Sequence, residues 1–145
     1  MKPEHVDAVH AIEQKTNSIP WSEHTFRGEL ANRDAHYFVI RAGGVIVGFA
    51  GYWKVIDEAH ITTVAVEPDR QGAGLGRKLM ECLLDHARDQ GMTCATLEVR
   101  ARNQRAIALY ENLGFVACGV RKRYYADTNE DAIVMWLHDL RGGAS

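Results

Sequence analysis

The chain has 145 residues, enough for one domain with one hydrophobic core. Hydrophobic residues make up 46% and charged residues 25%, the balance of an ordinary globular protein. Lys plus Arg number 17 and Asp plus Glu 19, a formal net charge of -2 that argues against a dedicated nucleic-acid binder.

Residues 3–16 space Val6, Val9 and Ile12 as a helix does. Ser18-Ile19-Pro20-Trp21 breaks it, and Ser22 reads as the N-cap of a short helix reaching Ala31. His36 to Ala42 and Val45 to Val55 are β-rich runs joined at Gly43-Gly44, which predicts a hairpin. A third strand runs from Ala59 to Val66, stopped by Pro68. Gly74 to Gln90 carries the strongest helix signal. Leu75, Leu79, Leu83 and Ala87 recur every fourth residue, with Met80 and Leu84 beside them and Gly91 at the C′ position.

Thr93 to Arg100 reads as a strand. Asn103 to Asn112 reads as a helix with Ala106, Ile107 and Tyr110 on adjoining faces, closed by Leu113-Gly114. Phe115 to Val120 and Ala132 to His138 are the last two strands, and Gly142 to Ser145 a frayed tail. No repeat or linker divides the chain, so residues 1–145 form a single domain. The order predicts a mixed α/β or α+β fold: a central, mostly antiparallel sheet flanked by about four helices.

Cys82, Cys94 and Cys118 lack any close C-x-x-C spacing and read as small buried hydrophobes in a reducing compartment. The 7 histidines are scattered, so no metal is expected. MKPEHVDAVH lacks the apolar core of a signal peptide. No run of about 18 apolar residues exists to span a membrane. The expected location is cytoplasmic, as a monomer or weak homodimer.

Between the third strand and the long helix lies Gln71-Gly72-Ala73-Gly74-Leu75-Gly76. A helix's first amides have no internal partner, and its dipole adds roughly half a positive charge there. Glycines let that backbone approach an anion such as a pyrophosphate. Arg70, Arg77 and Lys78 add charge. A P-loop needs Gly-Lys-Ser/Thr, and none is present. A dinucleotide fingerprint needs G-x-G-x-x-G in a βαβ unit, whereas these glycines run G-x-G-x-G after a meander. A plain connecting turn remains open.

This loop resembles the Q/R-x-x-G-x-G/A signature of the GNAT family of N-acetyltransferases. Leu97-Glu98-Val99-Arg100, Asn103, Ala106, Leu109-Tyr110-Glu111 and Leu113-Gly114-Phe115 are similar to the L-E-V-R…N-x-x-A-x-x-L-Y-E-x-x-G-F stretch of its RimI branch, the ribosomal-protein alanine acetyltransferases. Pro20-Trp21-Ser22 and Arg123-Tyr124-Tyr125 resemble that branch too. Three departures stand out. No strand precedes the first helix, so the start reads as truncated or mis-assigned. Gly72 stands where the family often has Arg, and Arg102 where a small residue is common.

The resemblance implies acetyl-CoA as cosubstrate. Arg70, Gln71, Gly72, Ala73, Gly74, Leu75, Gly76 and Arg77 would hold its pyrophosphate. Val64, Ala65 and Val66, on a strand splayed from its neighbour, would pair with the pantetheine arm and supply the oxyanion contacts. Asn103 and Ala106 would meet the same arm, although Asn103 also fits a plain N-cap.

Acetylation needs a neutral amine. An α-amine, pKa about 7.7–8.0, loses its proton at pH 7 for roughly 1 kcal/mol, and a lysine for roughly 4.6. The resemblance makes Glu98 the base, raised by burial or working through water, on a strand face shared with Thr96 and Arg100. It makes Tyr110 the acid that meets the departing thiolate. A phenol near 10 facing a thiol near 8.5 gives a transfer uphill by roughly 1.5 units.

Trp21, Tyr124 and Tyr125 would flank the acceptor peptide, the tyrosines in a basic turn. The implied acceptor is a protein N-terminus, that of a ribosomal protein. A lysine side chain or small amine, a non-catalytic acyl-CoA sensor, and RNA stacking at Arg121-Lys122-Arg123 are the alternatives. Asp127, Glu130 and Asp131 read as a solvated turn.

Overall fold

A computed structural model describes residues 1–140, so the tail at Gly142 to Ser145 lies outside the described residues. A 3₁₀ turn at Pro3–His5 leads into α1 (Val6–Thr16), then α2 (Glu23–Leu30). Three strands follow: β1 (Ala35–Ala42), β2 (Val45–Val55) and β3 (Glu58–Val66). After them come α3 (Leu75–Asp89), β4 (Cys94–Arg100), α4 (Gln104–Asn112), β5 (Val116–Tyr125) and β6 (Glu130–Leu137).

Local chemistry explains most boundaries. Ser22 Oγ accepts the Thr25 N–H at 3.1 Å and starts α2. Gly43 and Gly44 have φ of 59° and 80°, the left-handed pair that suits the twist of a tight hairpin. On α3, Leu79, Met80, Leu83, Leu84 and Ala87 are buried along one stripe.

The sheet runs β1-β2-β3-β4-β6-β5, with only β3 and β4 parallel. One apolar cluster joins Tyr52, Met80, Leu83, Met92, Phe115 and Met135. A second joins Val6, Val9, Ile12, Phe26 and Phe49. Phe26 meets Phe49 edge-on at 5.6 Å, and truncating such a fully buried ring to Ala costs about 3–5 kcal/mol.

β3 and β4 pair at only three positions: Glu58 with Cys94, Ala59 with Ala95, and His60 with Thr96. The register between β2 and β3 slips at this same level. Gly51 faces Thr63 and Tyr52 faces Ile61, leaving Thr62 unopposed. A bulge bends and twists its strand. β3 therefore veers from β4 where their pairing ends, and its last residues lack a neighbour on that side.

Two expectations need correction. β5 continues to Tyr125 rather than ending at Val120, because Tyr125 pairs with Glu130 across the hairpin. Tertiary pairing overrides the basic run at Arg121 to Arg123. Cys82 and Cys118 are exposed and Cys94 half-buried, since the first lies off α3's apolar stripe and the second on an edge strand. No helix among the described residues is long and apolar enough to cross a membrane.

Burial pushes Tyr52, Tyr110 and Tyr125 up to about 12, and Tyr37 higher still. The fold thus favours neutral phenols. That stabilisation is complete below the ordinary tyrosine range near 10 and is lost as pH rises toward 12. Thermal melting is expected to hold from pH 8 to 9.5 and fall steeply between 10 and 12. A flat profile would refute the burial argument.

Candidate active site

Beside the divergence of β3 and β4 lies a cavity of about 480 Å³. Val64, Ala65, Val66, Arg70, Gln71, Gly72, Gly74, Leu75, Gly76, Arg77, Asn103 and Ala106 line it, with Thr16, Arg105, Leu109 and Tyr110. Of the residues expected at the cofactor, only Ala73 does not line it. Strand end, glycine turn and the starts of α3 and α4 thus meet at one place.

Gly74 is the N-cap of α3, at φ 80°, and no side chain caps the helix start. The first amides of α3 are therefore free for an anion in the cavity. The Gln71 Nε2 donates to the Val66 carbonyl at 3.2 Å and ties the loop to the strand end. Asn103 Oδ1 accepts the Ala106 N–H at 3.2 Å, so the N-cap role is present at a residue that also lines the cavity.

Sequence reasoning missed Arg105. A Cβ placed on Gly72, at φ +90°, would lie 2.6 Å from Arg105 Nη2. The guanidinium fills the space that a side chain at position 72 would need. Arg70, Arg77 and Arg105 together bring three positive charges to the cavity. The one available signal was an arginine in the first turn of α4, two residues after a cap already assigned to the site.

Tyr110, on α4, is 8% exposed and packs against Phe115 with ring centres 6.1 Å apart. Burial, then the neighbouring Tyr125, pushes its phenol up to about 12. Tyr110 lines the cavity. Its hydroxyl has no hydrogen-bond partner among the described residues and is not sealed from the surroundings.

Glu98 stands two residues beyond the last β3–β4 pair, at the mouth of the split. Leu97 and Val99 enter the core, while Glu98 turns to the other face. The expected burial does not occur: its side chain is 32% exposed. Tyr124 donates its hydroxyl to Glu98 Oε2 at 3.0 Å, and Arg121 approaches Oε1 at 3.6 Å.

Tyr124 and Tyr125 lie at the end of β5, not in a turn, with ring centres 5.1 Å apart. Trp21 does not join them. Its ring packs 5.4 Å from Phe26 and 6.5 Å from Tyr37, and its backbone N–H donates to buried Glu13 Oε2 at 2.9 Å. The acidic turn is not freely solvated: Asp127 and Glu130 pair with Arg100, and Asp131 with Lys122.

Residues 6–115 match the model of the acetyltransferase (GNAT) family. The chain is 44% identical over 132 residues to the ribosomal protein bS18-alanine N-acetyltransferase of Escherichia coli K12, covering 90% of this chain and 88% of that one. It is 41% identical over 120 residues to the N-alpha-acetyltransferase RimI of Mycobacterium tuberculosis, covering 80% and 74%. The crystal structure of the ribosomal-protein-S18-alanine N-acetyltransferase from Escherichia coli superposes with a TM-score of 0.87 at 41% identity, covering 94% and 89%.

Replacing Arg105 by Ala is expected to weaken acetyl-CoA binding about tenfold, the loss of one charged contact to phosphate. Gly72→Ala should weaken it at least as much, since it strains the turn and displaces Arg105. Calorimetric titration with acetyl-CoA measures both. Unchanged affinity in Arg105→Ala would remove that residue from the site.

Proposed function

The chain belongs to the GNAT acetyltransferase family and is an N-acetyltransferase, and on that premise we propose that it acetylates the N-terminal α-amine of a protein from acetyl-CoA. The acceptor of choice is the N-terminal alanine of a small-subunit ribosomal protein, as the names of its relatives suggest. Such an acceptor puts the enzyme in the cytoplasm.

The observation that carries the reading is the glycine turn at the strand split. Uncapped helix amides, three arginines and an unpaired strand edge surround a single cavity that also reaches Tyr110. A diphosphate suits the amides and arginines. An extended arm carrying amides suits the open edge of β3. The donor supplies its acetyl group already activated as a thioester.

Glu98 takes the proton that the amine gives up, directly or through one water. Its exposure suits an α-amine, which needs only a modest base. Backbone amides near Val64 to Val66 serve the developing oxyanion. Tyr110 meets the departing sulfur. With the phenol at about 12 and a thiol near 8.5, full transfer runs uphill by roughly 3.5 units, about 5 kcal/mol. Tyr110 thus acts foremost as a hydrogen-bond donor that stabilises the thiolate. Tyr124 and Tyr125 border the acceptor beside Glu98, and Trp21 supports their side of the groove through the α1–α2 loop.

Incubation with acetyl-CoA and a peptide panel tests the acceptor, with free CoA as the readout. A peptide with N-terminal Ala should react, and an N-terminally blocked lysine peptide and a polyamine should not. Reaction of the latter two alone would refute the α-amine reading. Tyr110→Phe should lower kcat about 10²- to 10⁴-fold while leaving the acetyl-CoA KM nearly unchanged. The peptide kcat/KM should rise with pH through about 8, as the amine deprotonates. No fall is expected below pH 10, because Tyr110 stays protonated. A falling limb near pH 9 that is lost in Tyr110→Phe would contradict its raised pKa.

A further inference from the structure

Arg100 ends β4, two residues past Glu98, and holds two segments that are distant in sequence. Its guanidinium grips Asp127 with both nitrogens, Nη2 to Oδ2 at 2.9 Å and Nη1 to Oδ1 at 3.1 Å. This is the forked geometry that makes Arg–carboxylate pairs strong. The side chains are 28% and 15% exposed, and the two parallel bonds and the extra partners around Arg100 set the pair apart from a single-contact surface ion pair. Glu130 lies 3.6 Å from Nη1, and Thr128 accepts from it at 3.3 Å. Arg100 thereby fastens the β5–β6 turn onto β4.

The same pair reaches the α1–α2 loop. Ser18 donates its hydroxyl to Asp127 Oδ2, and Arg100 Nη2 lies 3.5 Å from the Ser18 oxygen. Buried Glu13 holds the rest of the loop, accepting from Asn17 Nδ2 and the Trp21 N–H. Arg100 also stacks 4.1 Å from the centre of the Tyr125 ring. Tyr125 abuts Tyr124, whose hydroxyl meets Glu98.

We propose that Arg100 is a positioning residue for the acceptor, clamping the α1–α2 loop, the β5–β6 turn and the tyrosine pair at fixed distance from Glu98. The proposal rests on reading these loops as the walls of the acceptor groove. Arg100 is not among the residues that line the cofactor cavity, so its removal touches one substrate and not the other.

Steady-state kinetics with the N-terminal Ala peptide test this in Arg100→Gln, Arg100→Lys and Asp127→Asn. The peptide KM should rise about tenfold in Arg100→Gln and Asp127→Asn, with the acetyl-CoA KM within about twofold. Arg100→Lys should recover part of the loss, keeping the charge without the fork. The double variant Arg100→Gln/Asp127→Asn should cost no more than the worse single one, because the two act as a unit. An unchanged peptide KM, or both KM values rising together, overturns the proposal. Hydrogen exchange at residues 17–21 reads the clamp with no substrate present. It should quicken in Arg100→Gln and Asp127→Asn, and unchanged exchange overturns the proposal even if the enzyme prefers another acceptor. A wild-type enzyme inert to every α-amine sinks the functional reading alone.

Discussion

β3 and β4 run side by side for three residue pairs and then part, and the site is organised around that parting. Every backbone amide and carbonyl left unpaired in a sheet must find another partner or meet solvent. Here the unpaired edge borders a cavity roofed by the glycine turn and the starts of two helices. The unopposed Thr62 gives the divergence a local cause, because the extra residue bends β3 where its pairing with β4 stops. Without the bulge β3 could continue beside β4, and its open edge would be consumed by the sheet.

The split also separates two kinds of chemistry. On the α3–α4 side the surroundings are apolar, and burial keeps Tyr110 protonated far above neutral pH. On the opposite face Glu98 is partly solvated and held by Tyr124 and Arg121. The proposed acid, buried but open to the cavity, and the proposed base, partly solvated, thus sit in different surroundings, the division that acid and base chemistry uses. Tyr125 lies between the two sides: Glu98 contributes to its raised pKa, and Tyr125 contributes to that of Tyr110.

Charge is distributed with the same economy. Arg70, Arg77 and Arg105 line the cavity, while Arg100, at the C-terminal end of β4, pairs with Asp127 and Glu130 instead. The departure at position 72 is resolved by geometry: Arg105 occupies the space that an arginine side chain there would have entered. Arginines of one type thus divide between lining the cavity and pairing with acids of the fold. Only their neighbours distinguish them.

Helix and strand order was legible in the amino-acid sequence because it depends on short-range periodicity, caps and turns. Val6, Val9 and Ile12, the Ser22 cap, the Gly43-Gly44 turn and the stripe on α3 all act within a few residues of chain. The glycine turn and its flanking motifs likewise line the cavity as one run of contiguous backbone, so they could be picked out from sequence. What only the tertiary structure decided depends on residues remote in sequence. The surroundings of Glu98 follow from Tyr124 and Arg121 on β5. The packing of Trp21 follows from Phe26, Tyr37 and Glu13. The length of β5 follows from β6, the place of Arg105 from a gap at Gly72, and the clamp at Arg100 from Ser18 and Asp127. Local propensity carries no record of such partners, because their contacts exist only after the chain has closed on itself.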